Sequence, residues 1–183
     1  MVISIIKLVN DLKIETPDLI TRQLGRKIFD AIHGKMNAVQ DNEVVVIDFQ
    51  HIRVIDSSFI DELILKLIVQ SRKSLFPFFI KLKNISDAVE INIDLVLNSY
   101  SSYINDRIVI NTDNICRNNS YFIGPLSERE RDIVDYLRIN KSASVDDLVR
   151  FTGMNADDIT HIMDDLHSIR VIRKKSENTF MPV

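Results

Sequence analysis

Val44 to Leu67 reads VVVIDFQHIRVIDSSFIDELILKL, and the rest of the chain can be placed around it. Its apolar opening, Val44 to Ile47, ends in Asp48-Phe49, the pattern of a buried strand. A short polar connection leads to Ile55-Asp56-Ser57-Ser58. Apolar residues then recur at helical spacing. Phe59, Leu63 and Leu67 form one stripe, and Ile60, Ile64 and Ile68 lie beside it, a face wide enough to lie on a sheet. The pattern predicts a strand over Val44–Phe49 and a helix over Ser58–Lys73. Ser58-Phe59-Ile60-Asp61 fits a capping box, in which the serine hydroxyl satisfies an orphaned backbone N–H. A hydroxyl at that place can also be offered to another protein for phosphorylation, because a phosphate there meets the positive end of the helix dipole.

Outward from this stretch, Val2–Val9 is rich in Val and Ile and predicts a strand. Thr16-Pro17 has the form of an N-cap and first helical residue. Leu19, Ile20, Leu24, Ile28, Ile32 and Met36 follow at helical spacing, with Gly25 a mild weakness. Phe76–Leu82 predicts a third strand, Ser86 to about Leu97 a third helix, and Arg107–Ile110 a last short strand. Strands alternating with helices imply an α/β domain with parallel pairs and right-handed crossovers. Asn111–Gly124 is polar and rich in turn formers. The expected division is an α/β domain over 1–111, a linker over 112–124 and a second domain over 125–183.

The second domain is mainly helical. Ser127-Glu128-Arg129-Glu130 is a capping box, and Ile133, Val134 and Leu137 carry the stripe behind it. Ser144 opens a short helix containing Leu148. Gly153-Met154-Asn155 makes a turn, and Asn155 caps a helix with Ile159, Met163 and Leu166 on one face. Val171–Lys174 and Thr179–Met181 flank a Ser-Glu-Asn turn, a hairpin pattern. Helix, helix–turn–helix and hairpin together make the winged-helix layout.

Composition narrows the function. At 45% hydrophobic residues the chain can bury a sizeable core, and a net charge of −3 gives no general attraction for nucleic acid. A single cysteine, Cys116, excludes an internal disulfide framework and fits a reducing compartment, so a cytoplasmic location is expected. The apolar N-terminus is only a strand long and lacks a basic leader, so neither a signal peptide nor a membrane span is expected.

Asp56-Ser57-Ser58 at the start of a helix, after a strand ending near Asp48, resembles the STAS-like domains. The recurring Ser-Ser-Phe-Xaa-Asp-Glu-Leu signature of an uncharacterised STAS-like group stands here as Ser57-Ser58-Phe59-Ile60-Asp61-Glu62-Leu63. The better known relatives are bacterial anti-sigma factor antagonists, which bind a GHKL-type serine kinase and are switched by phosphorylation of the second serine in Asp-Ser-Ser-Gly. The resemblance implies a regulatory module over roughly the first 110 residues, a GHKL-type kinase or ATPase as protein partner, and Ser58 as phosphoacceptor. Phe59 stands where those antagonists carry glycine. Asp56, Ser57, Ser58 and Asp61 are then the candidate partner-binding residues.

No other motif carries chemistry. Asp48 follows a strand as a receiver phosphoacceptor does, but the acidic partners a receiver needs for its metal are missing from Lys7-Leu8-Val9-Asn10-Asp11. A strand-end aspartate bonded to nearby backbone is the simpler reading. The four histidines and one cysteine show no metal-ligand spacing, so no metal and no cofactor are expected. No nucleophile–base pair is visible, Asp61-Glu62 reads as a solvated helix face, and an enzyme is not expected. Leu126–Val183 holds nine Lys/Arg against eleven Asp/Glu. The candidate recognition helix carries Asp157, Asp158, Asp164 and Asp165, which would repel a phosphate backbone. The basic cluster Arg173, Lys174 and Lys175 on the wing is the one candidate DNA contact of an alternative reading, a winged-helix transcription regulator. The favoured expectation is a non-catalytic regulatory protein whose winged helix serves interaction or homodimerisation.

Overall fold

The strand at Val44 is the second of five. β1 (Val2–Ser4), β2 (Val44–Asp48), β3 (Phe79–Lys83), β4 (Ile110–Thr112) and β5 (Phe122–Ile123) lie side by side in that order. This is a computed structural model describing residues 1–15, 18–36, 38–74, 76, 78–117 and 119–183. β1 to β4 pair in parallel, and β5 returns antiparallel to β4. Parallel neighbours in chain order need crossovers, and right-handed crossovers stepping the same way fall on one face. α1 (Ile5–Asp11), α2 (Arg22–Met36), a central helix over residues 57–73 and α5 (Asp87–Ile104) therefore share one core with Val45, Ile47, Ile80 and Leu82 of the sheet. The central helix runs unbroken through α3 (Ser57–Ile60), a π turn (Asp61–Leu65) and α4 (Lys66–Lys73). The mixed α/β architecture with a mainly parallel sheet is the one expected for a STAS-like domain.

Five expectations about element bounds need correcting. Only Val2–Ser4 of the expected first strand is extended; Ile5, Leu8 and Val9 instead turn one buried helical face inward. Their i, i+3, i+4 spacing outweighs the β-branched composition. The cap expected at Thr16-Pro17 lies outside the described residues. Leu19 is no helix residue but bridges Ile55, and α2 begins at Arg22. The third strand starts at Phe79, and the last is Ile110–Thr112 instead of Arg107–Ile110. α5 runs past Leu97 to Ile104, where Asn105 at φ 52° closes it in the left-handed region.

The stretch 112–124, expected as a linker, closes into the sheet. The Thr112 N–H donates to Tyr121 O at 2.8 Å, and the Cys116 N–H to Ser120 O at 2.8 Å. Its polar side chains serve the same connection: Thr112 Oγ1 donates to Asn114 O and Ser120 Oγ to Phe122 O, each at 2.8 Å. Turn formers here build a strand return, which has the same composition as a linker.

Beyond it, α6 (Glu128–Asn140), α7 (Val145–Thr152) and α8 (Ala156–Ser168) pack with a three-stranded antiparallel sheet, β6 (Ala143–Ser144), β8 (Thr179–Pro182) and β7 (Ile172–Ser176) in that order. Ser127 with Glu130 and Ser144 with Asp147 form full capping boxes, and Asn155 caps α8. The core of this unit includes Val109 and Phe122, so it continues into the five-stranded sheet on the face away from the helices. Phe79 meets the His167 ring at 6.0 Å, Asn111 Nδ2 donates to Arg170 O at 2.9 Å, and Lys81 Nζ donates to Val183 O at 2.8 Å. Arg107 pairs with both Glu130 and Asp165 at the seam. No helix among the described residues is long and apolar enough to cross a membrane.

Candidate functional site

The loop after β2 fixes where the central helix begins. Asp48 Oδ1 accepts the Gln50 N–H at 2.9 Å and Asn84 Nδ2 at 2.8 Å, so this aspartate is held by backbone and amide contacts. Phe49, Ile52 and Ile55 are buried. The Leu19 N–H donates to Val54 O at 3.0 Å and the Asp56 N–H to Leu19 O at 3.3 Å. These bonds hold Asp56 extended, and its Oδ1 accepts the Phe59 N–H at 2.7 Å. Asp56 is therefore the N-cap. The expected Ser58–Asp61 capping box does not form, because the bridge to Leu19 starts the helix two residues earlier. Ser57 is exposed and Ser58 half-buried in the first turn, and Asp61 pairs with Arg22 at 2.6 Å.

One functional expectation fails beside them. Glu62 is no solvated acid: it is 4% exposed between the central helix and α2. Lys66 pairs with it, Arg22 lies at 2.7 Å and Arg26 at 3.4 Å. Those bonds, Lys66 first, hold its carboxyl down to about 2 against the desolvation that opposes them. Gly25 lets the helices approach this closely, since a Cβ there would stand 2.9 Å from Glu62 Cβ and 3.0 Å from Phe59 O. The π turn covers the same residues, 61–65. Such turns concentrate at functional sites.

The outer face of the central helix forms the floor of a trough. α2 supplies one wall with Arg22, Phe29 and His33, and α5 the other with Leu95, Tyr100 and Tyr103. It consists of two cavities, about 510 and 500 Å³, that share Asp61, Leu65 and Tyr100. Ser57 and Ser58 line its upper end; Val69 and Gln70 line the lower. Three of the expected site residues, Ser57, Ser58 and Asp61, thus come together with Arg22, while Asp56 caps the helix beneath them. The α5 wall was not foreseen. Its signal was the pair of large exposed residues Leu95 and Tyr103, outside the core positions Val89, Ile93 and Leu97.

The three basic residues on β7 differ in their bonding. Arg173 Nε donates to Pro182 O at 3.3 Å, Lys174 pairs with Asp164 at 2.8 Å, and Lys175 is exposed. Cys116 is buried, and burial pushes its thiol up in pKa. Among the described residues no group of three His, Cys, Asp or Glu side chains could hold a metal ion.

No curated protein is found to match the chain. Residues 25–90, which carry the whole central helix and its buried Glu62, match the family model of the STAS-like domain of unknown function (DUF4325).

Proposed function

We propose that the protein is a non-catalytic regulatory module that docks a protein partner at the Ser57/Ser58 end of the trough. The observation that carries this reading is the setting of the serines: Ser57 exposed and Ser58 half-buried, beside Arg22, Asp61 and Tyr103, in an open apolar-walled cleft. The resemblance to anti-sigma factor antagonists supports a GHKL-type kinase or ATPase as the partner and Ser58 as the residue through which it acts, in the cytoplasm. We read residues 126–183 as a winged helix used for protein contact. Three helices and a three-stranded antiparallel sheet support that reading.

Because Asp56 holds the cap, Ser58→Ala removes the acceptor hydroxyl and leaves the cap bond in place. The full chain is used as bait in its native host, and its intact mass is measured alongside. Ser58→Ala is expected to keep the wild-type melting temperature and abolish the phosphorylated species, and Ser58→Asp to weaken the partner complex. A chain never phosphorylated on Ser58 under any growth condition overturns the switch.

The alternative, an operator-binding regulator, draws on the same helix–turn–helix and hairpin with Arg173, Lys174 and Lys175 as contacts. Lys174 is already neutralised by Asp164, and α8 presents acids. Binding to duplex DNA at low salt that falls steeply as salt is added would move the assignment to this reading.

A further inference from the structure

We propose that Arg22 is the receiver for a phosphate carried on Ser58, its guanidinium leaving Asp61 to close on the phosphate oxygens. The inference rests on the phosphoserine reading of Ser58 given above and adds the side chain that would sense the modification. Arg22, Ser57, Ser58 and Asp61 line one cavity, and among the described residues Arg22 is the one cation lining it. The α5 wall offers Leu95, Tyr100 and Tyr103 there, and α5 itself holds no Lys or Arg. Ser58 stands in the first turn of the central helix, where the helix dipole also favours negative charge. A planar guanidinium matches phosphate oxygens two at a time, which a carboxylate-lined cavity without it could not do.

The pairs Arg22 already makes fix where its guanidinium sits. Its Nη1 lies 2.6 Å from Asp61 Oδ2 and 2.7 Å from Glu62 Oε1. Ser58 precedes these two residues by three and four positions, so its side chain stands one turn above them on the same helical row. Transfer from a nucleoside triphosphate forms the Oγ–P bond, breaks the bond from the γ-phosphorus to the diphosphate leaving group and releases the hydroxyl proton. The phosphate then competes with two carboxylates for one arginine. It brings close to two charges and three acceptor oxygens, against one charge on each carboxylate. Glu62 can spare Arg22, because Lys66 and Arg26 also pair with it. Asp61 cannot, since Arg22 is its one ion-pair partner among the described residues. The exchange therefore strips Asp61, which lines both cavities of the trough. Modification adds a dianion at the upper end and bares a second anion midway down, and a partner seated in the trough meets both.

The full chain with phosphoserine built in at position 58 during synthesis tests it, by phosphorus NMR across a pH titration. A nearby cation favours the dianion, so the second phosphate ionisation is expected about one pH unit lower in the wild-type chain than in Arg22→Gln. Asp56, Asp61 and Glu62 oppose the dianion from the central helix in both chains. An Asp61→Asn background removes the carboxylate that Arg22 otherwise screens, and the Arg22 effect is expected to persist there. Arg22→Lys keeps the charge without the planar fork and is expected to recover part of the shift. The Arg22 and Asp61 side chains are 53% and 40% exposed, and far-UV circular dichroism checks that each variant is folded. A titration indifferent to Arg22, or an effect that vanishes with Asp61→Asn, overturns the inference. Because no kinase is needed, that failure is distinct from the finding that Ser58 is never modified in the native host, which overturns the switch itself.

Discussion

Gly25 and Glu62 face each other across a close contact between α2 and the central helix, and neither role is evident from the sequence. Glycine in a helix interior looks like a weakness, yet here the missing Cβ is what admits Glu62 and the Phe59 carbonyl. Gly25→Ala gains helix propensity but must push the central helix away. The expected net is a loss of about 1–3 kcal/mol, the usual cost of overpacking, read from a denaturant melt. A carboxylate next to another carboxylate suggests a wet surface, and only the convergence of Arg22, Arg26 and Lys66 from two helices shows otherwise. Glu62 titrates near 2 when folded, against 4.5 for an ordinary glutamate. Its folded pKa is depressed, so its contribution is fully present above 4.5 and is lost as pH falls toward about 2. Glu62→Gln is expected to flatten the fall in stability over that window and to lower stability at neutral pH, where Arg26 and Lys66 lose this anion and Arg22 keeps only Asp61.

At the scale of elements, periodicity was the reliable signal and composition the unreliable one. The two stripes of the central helix, its entry strand and the three capped helices of the C-terminal unit all follow from apolar spacing and cap residues. Leu63 is 0% exposed, and Leu63→Ala is expected to cost about 2–5 kcal/mol by urea unfolding. The failures at 2–9 and 112–124 have a common cause. Val and Ile at 2–9 and the polar turn formers at 112–124 were assigned by residue type, whereas neighbours in space chose the outcome. β1 stops after Ser4, where its pairing with β2 reaches Asp48. The 112–124 stretch becomes a strand return because β4 offers Phe122 a partner. The π turn left no trace in the sequence, since a single extra residue in a helical turn keeps the same apolar composition.

For the whole molecule, the sheet has two faces with different covers. Helices of the first half bury one; the C-terminal unit buries the β3–β5 end of the other through Phe79, Val109 and Phe122. Removing residues 126–183 should therefore leave a first half with exposed aromatics. The expected readout is dye binding and aggregation of the 1–125 piece, together with a lower melting temperature. A monomeric 1–125 piece as stable as the full chain would show the seam to be incidental. The segment matched by the family model starts inside α2 and stops inside α5, and it holds two of the five strands. Sequence similarity and the folding unit thus have different borders. Recombination that moved only the matched segment into another protein would carry the serines, Glu62, Phe29 and His33 but leave behind Arg22 and the α5 wall. The unit held together by its cores is larger: the five strands, their helices and the three-helix cover on the other face of the sheet.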